Sequence, residues 1–292
     1  MQIAEALDEF LAEHKARGSR PKTLRYYRCT LSNLLRPYLG QPVTDLNVFL
    51  CNKALQAVAE RNVKPATLAA ADRALRAFTA WLYGVELLPK NPMQGRKRPK
   101  LRWEPKQVLS QVDIQKLFAV AKADARYRER NIAILHLLLA CGLRAGEVAA
   151  LQLSDIDWTQ SIVKVNGKTG FGQVPIDRQT LQALRRYVTH SRKATAQVSH
   201  VFVFNKRPIT AETVSRQIAR LGRRADIGRP IGPHICRHTF ATAFIEAGGD
   251  VFSLKRILRH TTLFTSMQYV HNSTASLRGQ MENGSPIRGL KL

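Results

Sequence analysis

Apolar residues recur at helical spacing through the first third of the chain. Leu7, Phe10 and Leu11 share one face, and after the "GSRPK" break Leu24, Tyr27, Leu31, Leu34 and Leu35 share another. The pattern predicts a third helix over about Val48 to Ala59. It predicts a fourth over "PATLAAADRALRAFTAWLYG", opened by Pro65 and closed by Gly84, residues suited to a helix start and stop. Further on, Ser110 suits the N-cap of a helix through "QVDIQKLFAVA", and residues 129–140 make a strongly apolar helix. The period then changes. In "SIVKVNGKTGFGQVPI", Val163, Val165 and Val174 flank a glycine-rich centre, which predicts a hairpin, and "HVFVF" predicts another short strand. Helical patterns resume from Thr210. The expected fold is mainly α, with a small antiparallel β-sheet in the C-terminal domain.

Charge divides the chain. Its 292 residues carry 46 Lys and Arg against 21 Asp and Glu, a formal net charge of +25. Residues 1–89 account for only 12 basic and 8 acidic side chains. Residues 90–107, "KNPMQGRKRPKLRWEPKQ", hold seven Lys/Arg, one Glu and three prolines, which predicts an extended basic linker. The expected organisation is therefore a helical domain over 1–89, a linker over 90–107, and a second domain with a C-terminal tail over 108–292. A charge excess of this size repels itself unless it meets a polyanion, so nucleic acid is the expected partner, ahead of an anionic membrane. No apolar run reaches the roughly 18 residues that suggest a membrane span. The acidic, amphipathic N-terminus resembles neither a signal nor a transit peptide, and a cytoplasmic, nucleoid-associated protein is expected. Cys29, Cys51, Cys141 and Cys236 are scattered and read as reduced core thiols. Lys22, Arg25 and Arg28 recur at spacing three on the second helix. With Arg73 and Arg76 on the fourth helix and Arg96, Lys97 and Arg98 in the linker, they form the expected DNA-contact set.

The stretch "HICRHTFATAF" has three readings: a zinc site, satisfied core histidines, or a clamp on a phosphate. His234 and His238 share a helical turn, but the Glu that follows the first His in a zinc protease is missing and no third ligand is evident. The sequence has neither a G-x-S-x-G nor a G-x-x-x-x-G-K-[ST] element, so serine-triad and nucleotide-hydrolysis chemistry lack support. What remains is Arg144 with Glu147 three residues on, Lys168 at the hairpin tip, His234, Arg237, His260 and Tyr269. Guanidiniums can hold phosphate oxygens bidentately, a tyrosine can attack phosphorus, and an ammonium can protonate a leaving oxygen. The inventory suits phosphodiester chemistry with no cofactor and no metal.

The order Arg144, Lys168, His234-x-x-Arg237, His260, Tyr269, with "GLRAGEVAAL", "HICRHTFATAFIEAGGDV" and "YV" around it, resembles the tyrosine site-specific recombinases, the group of phage integrases and Xer-type resolvases. The N-terminal "PATLAAADRALRAFTAWLYGVELLPKNP" resembles them too, so the likeness runs along nearly the whole chain. It implies two domains forming a clamp around DNA, paired inverted half-sites as substrate, and a homotetramer, or an assembly with a related recombinase, passing through a Holliday junction. It implies that Arg144 and Arg237 clamp the scissile phosphate, that Tyr269 forms a 3′-phosphotyrosyl bond, and that Lys168 protonates the 5′ oxygen. His234 would help move the tyrosine proton, His260 would donate to a phosphate oxygen, and Glu147 and His238 would support the site. Two departures stand out. Relatives usually have Gly where Arg259 stands, so this arginine would add a phosphate contact or shift the turn. The hairpin also lacks basic residues often seen after the lysine.

Two other functions remain open from sequence: a type IB topoisomerase-like DNA-relaxing enzyme, and a DNA-binding regulator with an unused site. The polar tail after Tyr269, ending in "IRGLKL", would dock on a neighbouring protomer, as the resemblance implies.

Overall fold

The structure is a computed structural model that describes residues 1–99, 107–167, 170–193 and 197–269. The chain divides into two units, Met1–Glu104 and Pro105–Leu292. The first contains α1 (Ile3–Ala16), α2 (Pro21–Leu34), α3 (Val48–Ala59) and α4 (Pro65–Gly84). Pro21 and Pro65 each occupy the first turn of a helix, where a missing N–H costs nothing. Asn47 caps α3 by accepting from Leu50 N at 3.0 Å. Phe10, Leu31, Leu55, Leu75 and Phe78 bury the apolar stripes of all four helices in one core.

The predicted linker is corrected in its first part. Leu88 and Met93 are buried in this same core. The guanidinium of Arg76 pairs with buried Asp72 at 2.8 Å and donates to Met93 O and Arg96 O, each at 2.9 Å. Arg96 adds a 3.5 Å pair to Asp72. The chain therefore stays on the first unit well past residue 89, held by contacts that its proline and charge pattern does not reveal.

The second unit begins with α5 (Gln111–Lys122), α6 (Arg128–Leu139) and α7 (Ala145–Ala150). The strands β1 (Ile156–Asp157), β2 (Ile162–Gly167) and β3 (Gly170–Pro175) follow as an antiparallel sheet in that order. Val163 pairs with Val174 and Val165 with Gly172, which turns all three valines into the core. Next come α8 (Arg178–Arg186) and a small antiparallel pair, β4 (Val203–Phe204) with β5 (Arg207–Pro208). The described part ends with α9 (Ala211–Arg224), α10 (Pro233–Glu246), α11 (Val251–Leu258) and α12 (Phe264–Met267). Ser110 and Thr210 cap α5 and α9 through their side chains. The buried core joins α6, α7, the three-stranded sheet and α9.

The fold is thus mainly α with small antiparallel sheets, as expected. Of the predicted "HVFVF" strand, only Val203 and Phe204 are strand. Cys51, Cys141 and Cys236 are core thiols, whereas Cys29 is exposed on α2. Among the described residues no helix is long and apolar enough to cross a membrane. The tail expected to dock on a neighbour lies outside the described residues.

Candidate active site

The site is assembled where the turn between α6 and α7 meets α10 and the end of α11. Gly142 makes that turn at φ +62°, a conformation that suits glycine. A Cβ on it would lie 2.5 Å from Phe240 Cδ1 and 2.7 Å from Leu258 Cδ2, so only glycine allows α10 and α11 to approach this closely. The turn delivers Arg144 as the N-cap of α7. Glu147, one turn on, accepts from Arg144 N at 2.7 Å and from Arg144 Nη1 at 2.8 Å. One carboxylate therefore fixes both the backbone and the guanidinium of Arg144.

Arg237 comes from α10 and is 4% exposed. It donates to Gly142 O at 2.6 Å and to Leu258 O, and its Nη1 lies 3.9 Å from Glu147 Oε2. The Leu258 carbonyl closes α11, where the helix dipole favours a cation. Burial first, then the Arg144 charge, pull the Arg237 guanidinium down to about 9, against the effect of Glu147. It remains protonated at neutral pH.

The C-terminal elements carry the remaining groups. His260 Nδ1 is 2.8 Å from the hydroxyl of fully buried Ser266 on α12, which orients the ring. Tyr269 is 5% exposed and packs with Ala241, Leu254 and Leu258. Its hydroxyl lies 2.5 Å from His238 Nδ1. Burial raises the Tyr269 pKa, and the nearby Arg237 charge opposes this. The phenol is thus neutral at neutral pH and needs a base to become a nucleophile. The resemblance to the family implies that His234 helps to move that proton and that His238 supports the site. In the structure the imidazole on the hydroxyl is that of His238, while His234 is exposed in the first turn of α10.

Most of the expected set comes together: Arg144, Glu147, Arg237, His238 and Tyr269 are linked by direct bonds or by mutual charge effects. Lys168 lies outside the described residues, between the ends of β2 and β3. Of the predicted DNA contacts, Lys22, Arg25, Arg28 and Arg73 are exposed on α2 and α4, and Lys97 and Arg98 are exposed beyond α4. Arg28 makes a long 4.0 Å pair with Asp8, of little energetic weight. Arg76 and Arg96 are instead internal ties of the first unit.

Three features escaped the sequence reading: Ser266 as partner of His260, Gly142 as a forced close approach, and the place of Arg259. Arg259 closes α11 in the left-handed region, at φ 53° and ψ 49°. It bonds to Glu147, with Nη2 2.6 Å from Oε2.

Glu147 also sets an acid limit. Burial raises its pKa, but bonds from the Arg144 backbone and the Arg259 charge outweigh this and hold it below its ordinary 4.5. A carboxylate depressed by folding adds stability that is full above the ordinary value and is lost as pH falls through the folded one. The melting temperature of wild-type protein should therefore exceed that of Glu147→Gln at pH 7, and the gap should narrow below about pH 4.5. A gap that stays constant down to pH 3 would contradict the assignment.

The model of the phage integrase family matches residues 107–276. The chain is similar to tyrosine recombinase XerC of Myxococcus xanthus, 27% identical over 300 residues, covering 97% of this chain and 98% of that one. It is also similar to XerC of Bacillus subtilis strain 168, 30% identical over 235 residues, covering 78% and 77%. Among solved structures, the Tn1549 transposon integrase in complex with a circular intermediate DNA shares the fold. The TM-score is 0.79 at 20% identity, over 97% of this chain and 99% of that one.

Proposed function

The chain belongs to the phage integrase family, and from that premise we propose that it recombines DNA at specific sites through a 3′-phosphotyrosyl intermediate. It is a tyrosine recombinase, and the finer proposal concerns how it works. The observation that carries it is the Tyr269 hydroxyl 2.5 Å from His238 Nδ1, beside an Arg237 close enough to act on its charge.

Arg144 and Arg237 would hold the non-bridging oxygens of the scissile phosphate and stabilise the charge that builds up there. The Tyr269 oxygen forms a bond to phosphorus while the bond from phosphorus to the 5′ oxygen breaks. The tyrosine proton passes to an imidazole, with His238 in contact and His234 one turn earlier on the same helix. Lys168 would supply the proton that the leaving 5′ oxygen takes up. His260, held by Ser266, would donate to a phosphate oxygen. The phosphotyrosyl ester conserves the energy of the broken bond, so a 5′-hydroxyl from a second duplex can reverse the step without nucleotide hydrolysis. Both units would engage duplex DNA at two inverted half-sites. Lys22, Arg25, Arg28, Arg73, Lys97 and Arg98 would meet phosphates from the first unit and the segment after it, and four protomers would exchange strands through a Holliday junction.

Two guanidiniums and an ammonium supply the positive charge in this scheme. Covalent capture of DNA should therefore proceed at an unchanged rate in EDTA. Loss of cleavage on chelation, restored by one divalent ion, would contradict it.

The function is tested on a plasmid carrying two directly repeated copies of the site, taken from an inverted repeat flanking the gene. Recombination should release two circles. Relaxed topoisomers without exchange would favour the topoisomerase reading, and binding without either product would favour the regulator.

A further inference from the structure

Three guanidiniums converge on the single carboxylate of Glu147. Arg144 Nη1 is 2.8 Å away, Arg237 Nη1 3.9 Å, and Arg259 reaches it twice, Nη2 at 2.6 Å and Nε at 3.4 Å. These contacts are not equivalent. The Arg144 side chain is 27% exposed, while those of Arg259 and Glu147 are 6% and 3% exposed. Arg259 is the guanidinium bonded twice to the carboxylate; the Arg237 side chain, 5% exposed, meets it only at 3.9 Å, and Arg144 is the most exposed of the three.

The chain adopts an unfavourable backbone to achieve this. Arg259 ends α11 at φ 53°, ψ 49°, the left-handed region where glycine is the least strained residue. On β3, Gly172 leaves a trough for its stem: a Cβ there would lie 2.6 Å from Arg259 Cδ and 3.0 Å from Cγ. A third bond, from Arg259 Nη1 to Ile257 O at 2.7 Å, fixes the fork. An arginine stands where the backbone favours glycine, and a glycine stands where the arginine lies.

Charge gives this arrangement a consequence. Without Arg259, the Glu147 carboxylate would cancel one of the two charges on Arg144 and Arg237, leaving about one to face a phosphate. With Arg259 bound to it, the carboxylate is already neutralised. We propose that Arg259 is the standing counter-ion of Glu147, a positioning residue that leaves both Arg144 and Arg237 charges available to the scissile phosphate. The inference rests on the reading of those two arginines as the phosphate clamp. Arg259 itself need not touch DNA.

The test uses the full-length protein and nicked suicide duplexes selected from a randomised pool by covalent capture on wild-type protein. Arg259→Lys and Arg259→Gln share the left-handed backbone and differ in charge. On a phosphodiester duplex the glutamine variant should form covalent complex about tenfold more slowly than the lysine variant, a typical size for loss of preorganised charge. Their affinities for the duplex should agree within about twofold, because Arg259 acts on charge that develops during reaction. On the same duplex with a neutral methylphosphonate at the scissile position, less charge awaits stabilisation and the gap should close. Arg259→Gly, which relieves the backbone, is the neutral arm should the glutamine variant not fold. Equal rates for the charged and neutral variants would overturn the proposal. So would a gap of the same size on both duplexes, the mark of a merely structural role. A wild-type protein that captures no duplex would overturn the clamp reading itself, and this inference with it.

Discussion

Tyr269→Phe should abolish covalent capture of DNA while leaving DNA binding intact. The substitution removes one oxygen and keeps the ring that packs against Ala241, Leu254 and Leu258. The hydroxyl makes its bond to His238, which is half-buried and retains access to water, so folding loses about 1 kcal/mol at most. The reaction loses its nucleophile. Suicide duplexes should give no SDS-resistant complex with the variant, and gel-shift affinity should match wild type within about twofold. A persistent covalent complex would show that another residue attacks phosphorus.

Arg237→Lys should slow cleavage by about two to three orders of magnitude, the range seen when a donor to a developing anion is removed. The charge is kept, but the planar fork is lost. Arg237 spends one Nη on Gly142 O and the other on Leu258 O while facing Glu147, and a lysine ammonium cannot span all three. At least one buried carbonyl is then left unsatisfied, at a cost of about 1–3 kcal/mol in stability. The two effects separate in one experiment. Thermal melting reports the lost carbonyl bond, and single-turnover cleavage at a temperature where the variant is folded reports the lost clamp. A folded variant that cleaves at the wild-type rate would show that Arg237 is a structural tie alone.

The N-terminal helices were the most legible part of the sequence because local signals coincide there. The apolar stripe, Pro65 and Gly84 place α4 at the bounds observed, and Val48 to Ala59 is helix as read. Ser110 caps α5 for the same reason. The two-residue strands β1, β4 and β5 are too short to show alternation, and α8, with six basic or polar residues to three apolar ones, is masked by its charge. The segment after residue 89 misled because its prolines and basic residues describe an extended chain, whereas the burial of Met93 and the reach of Arg76 are tertiary facts.

The site shows the same division. Candidate residues were readable from side-chain chemistry and from the resemblance to the family. Partners were not. His234 and His238 lie one turn apart, and only the path of the chain after α12 decides which imidazole meets Tyr269. The Arg259 bond to Glu147 joins positions 112 apart in sequence, so no local pattern announces it. Its one trace is an arginine in a backbone position that prefers glycine.

The most direct measurement is the chemistry of the trapped adduct. Wild-type protein captured on a suicide duplex would be digested with trypsin and nuclease, and the modified peptide fragmented in a mass spectrometer. One modified peptide is expected, residues 260–278, with a nucleotide 3′-phosphate on the Tyr269 oxygen and a free 5′-hydroxyl on the released strand. A linkage through any other residue, or through a 5′-phosphate, would contradict it.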